Sequence, residues 1–433
     1  MIIDLTVKNF RSFRDEQMLS MVAESGLSRH RENLKAIEDG KLFVLRSAVI
    51  LGANASGKSN ILKAIQALKW LVGRSGGRDE GAAVLTFEPY KLLAQSKKDP
   101  VEIQIEFVVP SGLRYRYEVS FNRERVLTET LHSYSKRQRA LVFSRGPEDT
   151  WETIKFGSTY KGGNKRISFF PNNSYLSKAG SDASAPSSIR EIVRYFRSIL
   201  VVDTENHLRS SAFYENEEHL NAVAKLLCLV DTGISKITSE ENLNIKDMSF
   251  PDQMPDEVRE AFINANKLSF SFWSEDEGGG LVEFDETEIS DGTRKLFEVM
   301  PVLFSALARG VPIFMDELDG HLHTSLVGLI LDIFNDSETN PNGGQIIFTT
   351  HDTNVLDPGK LRRDQVWFVS KENGASNLKA LDSFDKKYVR PDSPFENFYM
   401  DGRFGALPSV DISKIRQVLS DVRLSEEVGR GVR

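Results

Sequence analysis

Two periods of apolar residues run along this chain and predict two kinds of element. Alternation opens it: Ile3, Leu5 and Val7 are interleaved with Asp4, Thr6 and Lys8 in Ile2–Phe10, which predicts a strand. Alternation returns from Val101 to Phe143 in three stretches that begin at Val101, Arg114 and Glu129, and predicts an antiparallel meander. Helical spacing governs Asn60 to Val72, where Ile61, Leu62, Ile65, Leu68 and Leu71 share a face. Further helices are predicted over Ser188–Ile199, Asn221–Val230, Asp256–Leu268, Thr293–Ala308 and Leu322–Phe334. Short apolar runs at Ser47–Leu51, Leu281–Phe284, Val311–Met315, Gln345–Thr349 and Gln365–Val369 read as strands. Most alternate with helices, which is an α/β pattern. Gly73–Gly81 and Gly157–Ser187 read as loops, Gly278–Gly280 as a hinge or turn, and there is no internal repeat.

Composition narrows the classes. The 433 residues are 40% hydrophobic and 27% charged, which is globular and long enough for two or three lobes. Cys228 is the only cysteine, so a disulfide framework and a multi-cysteine metal site within one chain are excluded. The most apolar stretch, Val299–Met315, contains Arg309, Gly310 and Pro312 and does not suit a membrane span. Asp4, Lys8 and Arg11 interrupt any leader-like apolar start, so a cytoplasmic location is expected. Net charge is −7 but uneven. Gly112–Arg197 holds 16 Lys/Arg against 8 Asp/Glu, whereas Val201–Met300 holds 8 against 22. The chain is no polycation, yet Arg114, Arg116, Arg123, Arg125, Lys136, Arg137 and Arg139 could form a basic face on the middle lobe.

The chemistry is concentrated at strand ends. Gly52-Ala53-Asn54-Ala55-Ser56-Gly57-Lys58-Ser59 fits the P-loop pattern without a mismatch, between a buried strand and a helix that begins near Asn60. Such a loop turns backbone N–H groups toward phosphates, Lys58 adds charge at the β- and γ-phosphates, and the Ser59 hydroxyl is a Mg²⁺ ligand. Pro312-Ile-Phe-Met-Asp316-Glu317 is an apolar strand ending in two carboxylates: Asp316 to hold Mg²⁺ and Glu317 to polarise the attacking water. Gln345-Ile-Ile-Phe-Thr-Thr-His351 repeats that design, and parallel strands share one carboxyl edge, so His351 can reach the same phosphates. Ser290 opens the helix before the Asp316 strand as an N-cap, with Asp291, Gly292 and Thr293 following.

This order of motifs resembles the ABC-type ATPase head of SMC-like and RecF-like proteins, and more closely the stand-alone OLD-like AAA ATPases of prokaryotes. Leu5–Phe13, Leu229–Ser235, Asp316–His323 and Tyr399–Pro408 are similar to runs of that family. The fold it implies is an α/β P-loop NTPase of ABC/SMC-head type, a mixed sheet with an antiparallel β lobe and an inserted helical arm. The head would be split between 1–200 and 282–433, with the arm over 201–281 for dimerisation or partner docking. The resemblance implies a homodimer, open to higher homo-oligomers, with ATP and Mg²⁺ between heads. The P-loop of one copy faces Ser290 and Gly292 of the other, Asp319–His323 is the D-loop, Glu317 the base and His351 the switch. Arg11 or Phe13 would touch the nucleotide, and Gln104 is a candidate for the Q-loop. Asp291 and Thr293 depart from the Ser-Gly-Gly-Gln signature of transporter heads.

Only 82 residues follow His351 and no Glu-Gly-x-x-Asp pattern occurs among them, so no Toprim nuclease is expected. Stand-alone ATPases of this kind resemble the ATPase of two-gene phage-defence systems, PARIS-type systems included. A slow, regulatory ATPase that senses an invader and controls a separate toxin or nuclease is therefore the first expectation, with the acidic arm as a dock for a basic effector. The alternatives are a RecF-like or SMC-like ATPase of DNA repair or chromosome maintenance, with DNA on the basic lobe, and an assembly protein whose ATP is structural.

Overall fold

The computed structural model describes residues 1–433 except 136–137, 203–210, 231, 244, 246–247, 252–253, 255, 321, 386, 408–410 and 421–433. Lys136 and Arg137 of the basic lobe, and Asp231, His321 and Pro408 of the family-like runs, lie outside the described residues. A six-stranded sheet forms the centre, in the order Leu200–Val202, Pro312–Met315, Gln345–Thr349, Ser47–Gly52, Val366–Glu372 and Ala375–Ala380. The first five strands are parallel and the last is antiparallel.

The unbroken apolar runs have a simple cause: this sheet is covered on both faces. Ala48, Ile50, Phe314, Ile347 and Val369 enter one core, beneath the helix Ser59–Gly73. Their neighbours Val49, Leu51, Ile313, Ile346 and Phe368 enter a second core, beneath the helices Asp291–Arg309 and Thr324–Asn335.

The first core also lies against a seven-stranded antiparallel sheet. It runs from Lys155–Phe156 through Gln138–Arg145, Val126–Ser135, Arg114–Phe121, Val101–Val108 and Ile2–Lys8 to Gln17–Ser20. The buried Gln345 side chain joins the two sheets. Its carbonyl accepts the Ile2 N–H at 2.6 Å, and its amide donates to the Ile2 and Leu45 carbonyls at 3.0 and 2.9 Å.

Two expectations change. Gly157–Ser187 contains the helix Tyr175–Gly180. It is too short to show a period, and a distant residue holds its start: the buried Glu129 carboxylate accepts the Tyr175 and Leu176 N–H groups at 2.7 and 2.9 Å.

The segment 201–281 is a mixed α/β unit rather than a helical arm. Beside the helices Ser211–Tyr214, Glu217–Leu229 and Asp256–Ala265 it carries the strands Lys236–Glu241 and Leu268–Glu275, which pair with Leu281–Asp285 in a three-stranded antiparallel sheet. Lys236–Glu241 buries only Ile237, so it shows no alternation to read. The expected limits at 200/201 and 281/282 each fall within a strand. The unit packs into the second core through residues such as Tyr214, Leu227 and Phe272, and Tyr214 stacks on Phe297 with ring centroids 4.5 Å apart.

Candidate nucleotide site

The strand Ser47–Gly52 ends at the carboxyl edge of the parallel sheet, and the helix Ser59–Gly73 departs from it. Space is tight at both ends of the loop. A Cβ at Gly52 would land on the Val369 carbonyl oxygen, and one at Gly57 on the hydroxyls of Ser12 and Ser376. Gly57 also has φ +110°, a conformation that favours glycine. The loop is held from outside: the Ala53 N–H donates to the Ala406 carbonyl at 3.0 Å, and Lys371 Nζ to the Ala55 carbonyl at 3.1 Å. No acidic residue occupies the first turn of the helix, so the positive end of its dipole has no acidic neighbour there. The buried Ser56 hydroxyl has no hydrogen-bond partner among the described residues.

Lys58 folds back onto this loop. Its ammonium donates to the carbonyls of Gly52 at 2.9 Å and Ala53 at 3.2 Å, and lies 3.0 Å from His351 Nε2. Burial pulls its pKa below the ordinary 10.5, and the charges of Glu317, Asp316 and Asp319 pull it back up. Those carboxylates follow the strand Pro312–Met315, two places along the sheet. Gln345–Thr349 is inserted between the strands of Lys58 and Asp316, and Thr349 links them: its hydroxyl donates to Asp316 Oδ1 at 2.6 Å and accepts the Glu317 N–H at 2.7 Å. Glu317 itself sits at φ +47°, a backbone that costs a non-glycine residue about 1–2 kcal/mol. It aims Oε1 to within 3.7 Å of His351 Nε2. The His351 backbone N–H donates to Asp319 Oδ2 at 3.2 Å, while the buried Asp319 Oδ1 has no partner among the described residues.

Beside these groups lies a cleft of about 420 Å³ walled by Asn54, Gly57, Lys58, Ser59, Glu317 and His351, whereas Gly52, Ser56 and Asp316 do not line it. Arg11 and Asn60 close its side. Arg11 Nε donates to Asn60 Oδ1 at 2.7 Å, Asn60 Nδ2 donates to the Ser12 hydroxyl, and the Arg11 guanidinium pairs with Glu88. The oxygen donors beside Lys58, a hydroxyl at Ser59 and a carboxylate at Asp316, fit Mg²⁺, which takes few protein oxygens and keeps several waters.

Other sequence-named residues lie elsewhere. Phe13 is buried in the first core and does not line the cleft. Gln104 sits within the antiparallel sheet and accepts from Arg116 at 2.6 Å, so its side chain serves that sheet. Ser290 caps the helix Asp291–Arg309 by accepting the Thr293 N–H at 3.1 Å. Ser290 and Asp291 are exposed, Gly292 half-buried, and none of the three lines the cleft. Three arginines of the basic face are paired: Arg114 with Glu38 and Glu106, Arg116 with Glu118, Arg125 with Glu148. The residue the sequence hid is Thr349, whose only signal was a threonine at the end of an apolar run. Among the described residues no group of three metal-ligating side chains occurs, and no helix is long and apolar enough to cross a membrane.

A family model described as "AAA domain, putative AbiEii toxin, Type IV TA system" matches residues 47–357. The chain belongs to this AAA family. The match spans the AAA domain's P-loop strand, its Asp316–Glu317 edge and His351. No curated protein matches the chain. Among solved structures the AAA chain is similar to an SMC head domain from Thermotoga maritima (15% identity, 88% of this chain and 98% of that one, TM-score 0.39). It is similar to an Smc head domain with an extended coiled coil, bound to a ScpA domain derived from Pyrococcus furiosus (14%, 98% and 99%, 0.37). A third is the recombination mediator RecF with an ATP analogue (13%, 88% and 98%, 0.37).

Proposed function

We propose that this AAA protein hydrolyses ATP in a nucleotide-gated head, and that a separate effector in prokaryotic antiviral defence reads the state of that head. The observation that supports hydrolysis is convergence: the Lys58 ammonium lies 3.0 Å from His351 Nε2, which lies 3.7 Å from the Glu317 carboxylate, beside a P-loop. In this reading Lys58 leaves the Gly52 and Ala53 carbonyls for the β- and γ-phosphate oxygens. Glu317 aims the water at the γ-phosphorus and accepts its proton, so the water–phosphorus bond forms as the β–γ bridge breaks and the bridging oxygen leaves on ADP with the bonding pair. His351 donates to the γ-phosphate as charge builds there. Mg²⁺, held by Ser59 and Asp316, neutralises phosphate charge when bound. Asn54, Ser56 and Gly57 shape the anion cradle, while Arg11, fixed by Asn60, borders the nucleoside side. Exposed Ser290 and half-buried Gly292 complete the site of a second copy, which makes the protein a homodimer, placed in the cytoplasm in this reading. The acidic segment 201–300 suits a basic effector. Carboxylates on Arg114, Arg116 and Arg125 leave those three cations less free to meet DNA phosphates, which the repair reading needs.

Calorimetry with ATP and Mg²⁺ tests the first half: the wild-type chain binds, and Lys58→Ala loses binding at least tenfold. Equal affinity in the variant overturns the site. Plaque counts on cells expressing the chain with its neighbouring genes test the second half. Protection lost in Lys58→Ala supports defence, whereas unchanged plaque counts with intact ATPase activity remove defence and leave the enzyme. Tight duplex binding that needs ATP and weakens steeply with salt would instead favour the repair reading.

A further inference from the structure

On the face opposite the antiparallel lobe, three helices leave a groove of about 420 Å³ between Glu217–Leu229, Asp291–Arg309 and Thr324–Asn335. Its walls are almost wholly apolar, with Leu226, Met300, Phe304, Leu326, Leu329 and Ile333 among them. Leu329 on its wall is 37% exposed. No charged side chain lines it, so an occupant has to present an uncharged aliphatic face.

This chain carries such a face. Residues 412–420 form a helix in which every residue is exposed. Ile412, Ile415 and Leu419 recur at i, i+3 and i+7, with Val418 beside them, while Lys414 and Arg416 occupy other positions. That is the anchor spacing of a helix that lies in a groove. An aliphatic stripe and an aliphatic groove, neither covered by another described residue of the chain, are complementary halves of one contact.

We infer that the helix 412–420 of one copy docks in the groove of a second copy, and that the exchange is reciprocal. Two identical helix-in-groove contacts then close a two-fold dimer. The contact uses no residue of the nucleotide cleft, so it forms without ATP. If heads also close around ATP, the two interfaces together build assemblies larger than a dimer.

The test uses the full chain without nucleotide. Light scattering across a hundredfold concentration range gives a dimer for the wild type. Ile415→Asp with Leu419→Asp, on the exposed helix, shifts the mass to monomer, and Leu329→Asp in the groove does the same. Mixing those two variants restores part of the dimer, because one intact helix still meets one intact groove. In a Cys228→Ser background, Ile415→Cys with Leu329→Cys forms a disulfide that doubles the mass on a non-reducing gel. A monomeric wild type, a dimer that survives both sets of substitutions, or a disulfide confined within one chain each overturns the inference. None of these readouts depends on ATP binding, so failure here is distinct from failure of the proposed ATPase.

Discussion

Two charge clusters in this chain have opposite characters. In the antiparallel lobe, Glu129 and Arg145 have side chains 0% and 2% exposed and stand 3.6 Å apart. Glu129 accepts from Tyr117, Ser174 and the N–H groups of Tyr175 and Leu176. Burial holds Tyr117 well above the ordinary phenol range, and the Glu129 charge adds to that effect. At the sheet edge, by contrast, Glu317 is half-exposed on a left-handed backbone, and Ser56 and Asp319 keep buried oxygens without partners among the described residues. The first cluster is satisfied except at Arg145 Nε, which has no hydrogen-bond partner among the described residues, and it fixes the fold. The second is held in place by neighbours yet left incomplete, which is the condition of groups that wait for a ligand.

Substitutions on each side of that contrast should separate rate from stability. The largest expected effect is Glu317→Gln: ATP turnover falls roughly 10²- to 10⁴-fold, the contribution of a positioned base, while thermal stability holds or rises. Phosphate release at the wild-type rate would remove Glu317 from that role. Glu129→Ala should do the reverse. It leaves Arg145 buried without its charge partner, a loss of about 3–5 kcal/mol that chemical denaturation would read, with no nucleotide-specific defect in the chain that remains folded. An unchanged denaturation midpoint would show that the lobe does not depend on this pair.

Ser290→Ala probes a residue that belongs to both categories. Loss of the cap costs about 1 kcal/mol of stability. If Ser290 also faces ATP across two copies, turnover falls further than stability explains, at a temperature where the variant is fully folded. Turnover that merely follows the folded fraction would confine Ser290 to capping.

The smallest effect concerns Lys58. With its pKa below 10.5 in the folded chain, the folded state releases this proton at lower pH than the unfolded one. Across that window the unfolded chain binds more protons, so the Lys58 contribution to stability rises with pH. Phosphates would restore the proton, so ATP binding should take up protons there. Calorimetry in buffers of different ionisation enthalpy reads the uptake, and none at any alkaline pH would place Lys58 away from the phosphates.

The groups that set this contrast were legible in the sequence to different degrees. The P-loop, the Asp316–Glu317 pair and His351 could be read because each ends an apolar strand, and local period and spacing survive without knowledge of the fold. The antiparallel meander was legible because its strands are buried on one face. Long-range partners were not. Thr349 as the link between Asp316 and Glu317, Ala406 on the P-loop amide, and Glu129 as the start of a helix 46 residues later carry no mark in their own neighbourhoods. The strands of segment 201–281 were hidden for a related reason, since mostly exposed strands such as Lys236–Glu241 show no period. Sequence by itself determined which residues could do chemistry and on what kind of element they sit, because periodicity and turn chemistry are local. Only tertiary structure decided which of them meet, because hydrogen bonds and close contacts between strands distant in sequence are set by packing.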